Sequence, residues 1–196
     1  MKKLVPTNAV LIPDQAKLVF HGVLFDIYQW QQTVYDGTVE TFEMLKRADT
    51  VTTIAVVDDA IIVLEDENPH QGKRLSFPGG RVELSDPDIK AAAERETLEE
   101  TGYRFNNWRL IKVAQPMNEI EWFVHVFVAS GVKSHQALSL DAGERIKVLK
   151  WSMPKLKQEL QNDTGVLGEN RRIFEPLKTV DDLMTLAEFK GRMIDA

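Results

Sequence analysis

Three glutamates lie close together in one short stretch of the sequence, at Glu96, Glu99 and Glu100. On an α-helix, residues three or four apart share a face, so these carboxylates can lean towards one small volume. Hard oxygen ligands at this spacing suit Mg²⁺, with Mn²⁺ as an alternative. The simpler interpretation is a solvent-facing acidic stretch paired with Arg95 and Lys90, because charged runs are common on protein surfaces. The glutamates alone therefore allow a divalent-metal site without requiring one.

The apolar residues of the same stretch favour the metal site. At about 100° per residue, Ile89, Ala92 and Ala93 fall on the same side of a helix as Glu96 and Glu100. Carboxylates in a half-buried place are costly unless protons or cations neutralise them. A purely solvated acidic face would instead lie opposite the apolar residues.

The helix that carries the glutamates has clear boundary signals. Asp86 is predicted as the N-cap, Pro87 takes the first helical position, and Gly102 stands where a left-handed C-terminal cap belongs. These signals predict a helix over Pro87–Thr101.

The residues around the helix predict a loop that comes close to it. Pro78-Gly79-Gly80 stops a strand and lets backbone approach a ligand or metal, because glycine has no side chain. Taken alone, these three residues are better explained as a plain turn. Arg95 can hold a nearby carboxylate through a forked hydrogen bond and so fix the loop onto the helix.

Short apolar runs separated by turn signals predict strands on both sides of the helix. Asp36-Gly37 and Asp58-Asp59 are the predicted hairpin turns. The predicted strands are Phe25–Tyr35, Thr38–Lys46, Val51–Val57, Ala60–Leu64 and Arg74–Phe77 before the helix, and Trp108–Ala114, Trp122–Ala129 and Ile146–Trp151 after it.

The second half of the chain is predicted to end in helices. A polar loop is expected from Gly131 to about Glu144, before the last predicted strand. Helical stretches are expected from Pro154 onward, and Val180–Met193 is the most periodic of them. We find no internal repeat and no convincing linker, so one main domain is expected for the 196 residues.

The composition excludes several classes of function. The net charge of −6 argues against broad attraction to nucleic acid or to an anionic membrane, which need clustered Lys and Arg. There is no cysteine, which excludes disulfides, thiolate metal sites and cysteine nucleophiles. No apolar run approaches the length of a membrane span, and a cytoplasmic location is the default expectation.

The glycine turn and the glutamate helix together resemble the Nudix box. Its usual form is Gly, five residues, Glu, seven residues, Arg-Glu, an apolar residue, any residue, Glu-Glu, any residue, Gly and an apolar residue. Gly80 opens the box here, and the run from Arg95 to Tyr103 closes it. One extra residue lies between the two parts. Asp86 stands where the pattern has Glu, while Glu83 keeps a Gly-Gly-x-x-Glu beginning, so the sequence leaves open which carboxylate braces Arg95.

The resemblance implies a fold and a metal site. The expected fold is α/β (α+β): the Nudix α/β/α sandwich with a mixed sheet, in residues 49–196 with C-terminal helices, preceded by an antiparallel strand extension in residues 1–48. Glu96 and Glu100 would be the principal Mg²⁺ ligands, with Glu99 nearby and Gly79 offering its backbone carbonyl. Arg95 and Glu99 belong to the expected catalytic set.

Within this superfamily, the chain is similar to the ADP-ribose pyrophosphatase-like group. Leu18–Lys46 resembles that group's N-terminal strands, which implies a homodimer. Leu140–Ile146 resembles its late loop, so Glu144 is the expected general base or a further metal ligand, although a turn residue exposed to water explains it equally well. Tyr28 and Trp30 are the expected substrate-stacking residues, with core or dimer packing as the alternative.

The implied activity is Mg²⁺-dependent hydrolysis of the diphosphate bond of a nucleoside-diphosphate-linked small molecule, with ADP-ribose or a related nucleotide sugar as the expected substrate. Arg74 lies close enough before the box to contact phosphate, although an ordinary surface arginine explains it equally well. Two alternatives stay open: a hydrolase of nucleoside triphosphates or other diphosphates, and a non-catalytic nucleotide-sensing module. The intact Arg95, Glu96, Glu99 and Glu100 count against the sensing module.

Overall fold

A mixed sheet lies at the centre of the computed structural model, which describes residues 2–68, 72–140, 145–163 and 165–195. The strands are β1 Lys2–Val5, β2 Lys17–His21, β3 Asp26–Thr33, β4 Val39–Lys46, β5 Thr50–Val57, β6 Ala60–Asn68, β7 Gly72–Ser76, β8 Tyr103–Ala114, β9 Ile120–Glu121, β10 Val124–His135, β11 Arg145–Trp151 and β12 Arg192–Asp195. The helices are α1 Ile89–Thr101, α2 Met153–Asn162, α3 Arg171–Phe174 and α4 Asp181–Thr185, with a 3₁₀ turn at Gly168–Asn170.

The central sheet has the strand order β11-β6-β5-β10-β8, and β7 pairs with β6. β5 and β10 run parallel, whereas β10 pairs with β8, and β6 with β11, in antiparallel fashion. The expectation of a mixed α+β architecture is therefore confirmed.

Helices cover both faces of this sheet. α1 packs Ile89, Ala92 and Ala93 against Val51 and Phe127. Ile54 of the same strand β5 joins the other cluster, in which α2, α3 and α4 bury Leu156, Leu160, Phe174 and Leu183. Successive strand side chains point to opposite faces, so β5 contributes to two cores and forms the middle layer of the sandwich.

A second sheet is built from the N-terminal strands, in the order β2-β3-β4-β9. β2, β3 and β4 are antiparallel, as expected for Leu18–Lys46, and the hairpin across Asp36-Gly37 is confirmed. β9 adds to β4 in parallel and comes from the segment just before β10. The division of the chain at residue 48 stays a prediction.

The helix α1 begins later than predicted. Its N-cap is Asp88, whose Oδ1 accepts a hydrogen bond from the N–H of Ala91 at 2.8 Å, so the prediction of Asp86 as N-cap is wrong. Asp86 has a different role, described below. At the other end, Gly102 adopts φ 73° and donates to the carbonyl of Leu98, which confirms the left-handed cap.

The strands after α1 are longer than predicted. β8 begins at Tyr103 rather than Trp108, and β10 continues to His135, so the predicted loop from Gly131 is wrong over its first five residues. The two extensions pair with each other, for example through Val132 and Phe105. This pairing satisfies backbone groups whatever the polarity of the side chains, which a hydrophobic pattern cannot reveal. Residues 141–144 of the same predicted loop lie outside the described residues.

The predicted helix over Val180–Met193 is also wrong. Only Asp181–Thr185 is helical, and Arg192–Asp195 forms β12, which pairs antiparallel with β1. The partner strand is nearly two hundred residues away in sequence, so local periodicity gives no signal for it. Among the described helices, none combines the length and the apolar character that a membrane crossing requires.

The strand β1 is also tied to the central sheet by a buried ion pair. The Nζ of Lys3 lies 2.8 Å from Oδ2 of Asp49, just before β5, and the two side chains are 7% and 4% exposed. Asp49 also accepts a hydrogen bond from the N–H of Phe123 at 3.0 Å. Removing Lys3 would leave the buried carboxylate of Asp49 with only the N–H of Phe123 and the ring of His125 as polar neighbours.

We therefore expect Lys3→Met to lower the free energy of unfolding by about 3–5 kcal/mol, measured by urea denaturation at neutral pH. Lys2→Met is the matched control, because Lys2 is exposed on the same strand, and it should change the stability by less than about 0.5 kcal/mol. Equal stability of the two variants would contradict the role of the ion pair.

Candidate active site

The turn Pro78-Gly79-Gly80 is fixed between β5 and the second half of α1. The carbonyls of Pro78 and Gly80 accept hydrogen bonds from the N–H groups of Thr53 and Val51, at 2.7 and 2.9 Å. From the helix side, Oε2 of Glu100 accepts a hydrogen bond from the N–H of Gly79 at 2.7 Å. Backbone hydrogen bonds on one side and a carboxylate on the other therefore define the position of this turn.

Both positions of the turn require glycine, because neighbouring atoms approach the backbone closely there. Gly79 has φ 153°, and a Cβ there would overlap the carbonyl oxygen of Val51. A Cβ on Gly80 would lie 2.5 Å from the carboxylate carbon of Glu96. Glu96 and Glu100 therefore converge on Gly79-Gly80. Their carboxylates fit there because neither glycine has a side chain.

Arg95 joins the loop before α1 to the glutamates. Its Nε and Nη2 donate to the two carboxylate oxygens of Asp86, each at 3.0 Å, and Nη2 also donates to the carbonyl of Arg81 at 3.0 Å. Its Nη1 lies 3.0 Å from Oε1 of Glu96 and 3.1 Å from Oε2 of Glu99. The carboxylate that braces Arg95 is thus Asp86, which answers a question that the sequence left open.

The electrostatics of this pair follow from its geometry. The forked hydrogen bonds from Arg95 hold the pKa of the Asp86 carboxyl below its ordinary value. The same bonds raise the pKa of the Arg95 guanidinium further above its usual range. Both side chains are therefore charged at neutral pH, where the forked pair forms in full.

The glutamates offer a donor set that suits a hard divalent cation. Among the described residues, no three His, Asp or Glu side chains come together in a group that could hold a metal ion as they stand. Glu96 and Glu99 instead contact Arg95, and Glu100 contacts Gly79. All the side-chain donors are oxygens, and the space beside Gly80 is occupied by the carboxylate of Glu96. These features fit Mg²⁺, which prefers oxygen ligands and binds through a few carboxylates.

A cleft of about 730 Å³ begins one residue beyond Gly80. Its walls come from the β2–β3 turn, the segment between β4 and β5, and the loop from Arg81 to Ile89. Asp86 lines the cleft while bracing Arg95. The cleft is therefore directly connected to the loop that positions the glutamates.

Two arginines in this cleft were not identified from the sequence. The guanidinium of Arg47 lies 4.7 Å from the ring centroid of Trp122 and 5.6 Å from that of Phe25. Its Nε is buried and has no hydrogen-bond partner among the described residues. Burial and the nearby charge of Arg81 lower the pKa of Arg47. Two neighbouring guanidinium groups favour an anion between them, and the signal in the sequence was a basic residue directly after β4.

The remaining predicted site residues lie elsewhere. Arg74 is on β7, opposite Asp66 of β6, and its Nε lies 2.8 Å from Oδ2 of that aspartate. Tyr28 and Trp30 are on β3, and neither is among the described residues that line the cleft. Glu144 lies outside the described residues. The roles of these four residues stay predictions.

Comparisons with known proteins agree with this architecture. The family model of the NUDIX domain matches residues 46–165. The ADP-ribose pyrophosphatase of Bacillus subtilis (strain 168) is 24% identical over 163 residues, which cover 80% of this chain and 82% of that protein. A crystal structure of an ADP compounds hydrolase has a TM-score of 0.63 and 20% identity, and the match covers 76% of this chain and 81% of that one.

The brace between Asp86 and Arg95 gives a test of stability. Asp86→Asn removes the charge that pairs with the guanidinium, so we expect the free energy of unfolding at pH 7 to fall by roughly 2–3 kcal/mol. The pKa of Asp86 is lowered from its ordinary value of 3.8. Its contribution is therefore fully present above that value and is lost as the pH falls through the lower folded pKa.

The difference between wild type and Asp86→Asn, measured by urea denaturation, should accordingly shrink below about pH 4. Glu83→Gln is the matched control, because Glu83 is exposed in the same loop and its carboxylate contacts Ser85. If Glu83→Gln destabilises the protein as much as Asp86→Asn, the assignment of the brace is wrong.

Proposed function

The chain belongs to the NUDIX domain family of hydrolases, and we propose that it cleaves the diphosphate bond of a nucleoside-diphosphate-linked small molecule. ADP-ribose or a related nucleotide sugar is the proposed substrate. The observation that carries the proposal is the convergence of Glu96 and Glu100 on Gly79-Gly80, with Arg95 holding Glu96 and Glu99. The name of the Bacillus subtilis relative, ADP-ribose pyrophosphatase, supports the substrate class.

The proposed cofactor is Mg²⁺, with Mn²⁺ as an alternative. Glu96 and Glu100 would hold it, with Glu99 and the backbone carbonyl of Gly79 as further ligands. When bound, such an ion neutralises phosphate charge and lowers the pKa of a coordinated water. The reaction adds water across one P–O bond of the diphosphate, so ADP-ribose would give AMP and ribose 5-phosphate.

The protein's own groups orient the reactants. Arg95 fixes the carboxylates of Glu96 and Glu99, and Asp86 fixes Arg95, so the acidic groups need little reorganisation when substrate arrives. Glu144 is the proposed general base that accepts the proton of the attacking water. Holding these groups in place supplies orientation that would otherwise cost entropy in the transition state.

The arginines of the cleft supply positive charge from the protein itself. Arg47 and Arg81 have no carboxylate partner in the described part of the chain. Guanidinium groups bind phosphate oxygens in a forked geometry, so both arginines are proposed to contact the substrate phosphates. Arg74 is proposed as a further phosphate contact, and Tyr28 and Trp30 as aromatic contacts to the substrate.

The proposed function is tested with a substrate panel in Mg²⁺ buffer, with products separated by ion-exchange chromatography. ADP-ribose and a second nucleotide sugar should each yield a nucleoside monophosphate and a sugar phosphate. Hydrolysis of nucleoside triphosphates alone would contradict the substrate class. No hydrolysis of any diphosphate, by folded protein with Mg²⁺ or Mn²⁺, would contradict the enzymatic function.

A variant of α1 tests the role of the glutamates. Glu96→Gln should lower kcat at least about a hundredfold while the melting temperature changes little, because a neutral amide is a poor ligand for Mg²⁺. Glu94→Gln is the matched control on the same helix, since Glu94 pairs with Lys90 at 2.8 Å and is 41% exposed. Full activity of Glu96→Gln over an Mg²⁺ titration would overturn the metal assignment.

The N-terminal sheet supports the proposal of a homodimer. Four large apolar side chains on it are about half exposed, namely Leu18 (50%), Phe20 (56%), Val39 (58%) and Phe42 (43%). Leu18 and Phe42 lie on one face of the sheet, and Phe20 and Val39 on the other, because paired residues share a face and successive residues alternate. Exposed apolar side chains on a sheet support a protein contact there. A second copy of the chain is the proposed partner of this sheet.

Light scattering coupled to gel filtration should therefore give twice the mass of the chain. Phe42→Asp should shift the protein towards the monomer, because a charge would enter the apolar contact. Tyr35→Asp is the control, since Tyr35 is fully exposed in the β3–β4 turn. A monomeric wild-type protein at micromolar concentration would contradict the proposed dimer.

A further inference from the structure

Two buried hydroxyl groups between β5 and α1 have no hydrogen-bond partner among the described residues. They belong to Thr53 and Thr97, which are both 0% exposed. Buried polar groups are nearly always paired, because an unpaired hydroxyl loses its bonds to water and gains none in return. Thr97 also stands where the usual box has an apolar residue, so packing alone gives no reason for its hydroxyl.

Thr53 lies on the face of β5 that α1 covers. Val51, two residues earlier, and Phe127, the paired residue on β10, both pack against α1. Residues two apart on a strand share a face, and so do directly paired residues on neighbouring strands. The side chain of Thr53 therefore points towards the helix.

Thr97 faces β5 from the helix side, because it is fully buried on the face of α1 that packs on the sheet. Glu96 and Glu100, which flank it in the helix, both lie against the turn 78–80. The first carbonyl of that turn accepts a hydrogen bond from the N–H of Thr53. The part of α1 that carries Thr97 therefore lies over the part of β5 that carries Thr53, and the two hydroxyls approach one interface from opposite sides.

The chemistry of this interface restricts what can join the two hydroxyls. They bond neither to each other nor to any other described residue. A hydroxyl both donates and accepts hydrogen bonds, and a water molecule can do the same towards both threonines. An ion would bring a charge that two neutral hydroxyls cannot neutralise. Buried waters typically join polar groups of this kind, which lack a partner in the protein.

We propose that Thr53 and Thr97 bind one buried water molecule, which joins β5 to α1 beneath the glutamates. Thr97 follows Glu96 directly in the helix, and Thr53 is bonded to the turn against which Glu96 and Glu100 lie. The bridge therefore sets how closely the helix approaches the glycine turn, and the two threonines are positioning residues for the carboxylates. This positioning role rests on the proposed function, whereas the water site does not depend on it.

A double-mutant cycle tests the water site, with melting temperatures measured by circular dichroism. Thr53→Val and Thr97→Val keep the shape of the side chain and remove one hydroxyl each. Each single variant should melt about 2–6 °C below wild type, because the other hydroxyl and the water lose a partner. The double variant should melt no lower than either single variant, since both partners of the water are then gone. A crystal structure of the wild type should show the water within hydrogen-bond distance of both hydroxyls.

Thr101→Val is the matched control, because Thr101 is one turn later on the same face of α1. Its hydroxyl already donates to the carbonyl of Thr97 and accepts from the N–H of Tyr103. The effect of Thr101→Val should add to that of Thr53→Val within about 2 °C. Single valine variants at Thr53 and Thr97 that are as stable as wild type, or more stable, would overturn the water site. So would a double variant whose loss equals the sum of the two single losses.

Mg²⁺ binding, measured by isothermal titration calorimetry without substrate, tests the positioning role. Thr97→Val should raise the Kd for Mg²⁺ about three- to tenfold, because Glu96 and Glu100 lose their fixed distance from the turn. Thr97→Ser, which keeps the hydroxyl, should bind Mg²⁺ within about twofold of wild type. Equal affinities of wild type and Thr97→Val would overturn the positioning role.

The outcomes separate this inference from the proposed function. If diphosphates are hydrolysed but the losses at Thr53 and Thr97 are additive, the function stands and the water site fails. If the cycle shows the coupling but no diphosphate is hydrolysed, the water site stands and the enzymatic function fails.

Discussion

The forked pair between Arg95 and Asp86 is the interaction on which the site depends. One guanidinium contacts the loop before α1, through Asp86 and the carbonyl of Arg81, and also two glutamates of the helix. Without it, Glu96 and Glu99 would repel each other and the loop would lose its attachment to α1. The same contact sets the position of the cleft wall, because Asp86 and Arg81 both line the cleft.

The second constraint is the absence of side chains at Gly79 and Gly80. The helix approaches the turn so closely that a Cβ on Gly80 would overlap the carboxylate of Glu96. Hydrogen bonds to Val51 and Thr53 fix the position of this turn along β5, the strand that contributes to both cores. The packing of the sandwich therefore determines where the carboxylates lie, and the stability of the core and the geometry of the site are linked.

Cationic groups lie close to the acidic helix α1. The glutamates of α1 are on one side of Gly80, and Arg47 and Arg81 are on the other, in a cleft that Asp49 and Asp86 also line. The proposed substrate, a diphosphate with a divalent cation, would use both kinds of group, because the cation needs carboxylates and the phosphates need cationic donors. The net charge of −6 gives no indication of this local arrangement, which arises from strands that are distant in sequence.

The sequence by itself determined the features that depend on local spacing. The glutamates of α1, the glycine turn, the Gly102 cap and the hairpins at Asp36-Gly37 and Asp58-Asp59 follow from residue types a few positions apart, because helix periodicity and turn chemistry are local.

Only the tertiary structure decided which carboxylate binds Arg95, because one extra loop residue made the spacing ambiguous. It also brought Arg47 beside Arg81, and it paired β12 with β1 in place of a predicted helix. These contacts join residues distant in sequence, and their energy comes from burial and pairing that no single segment contains.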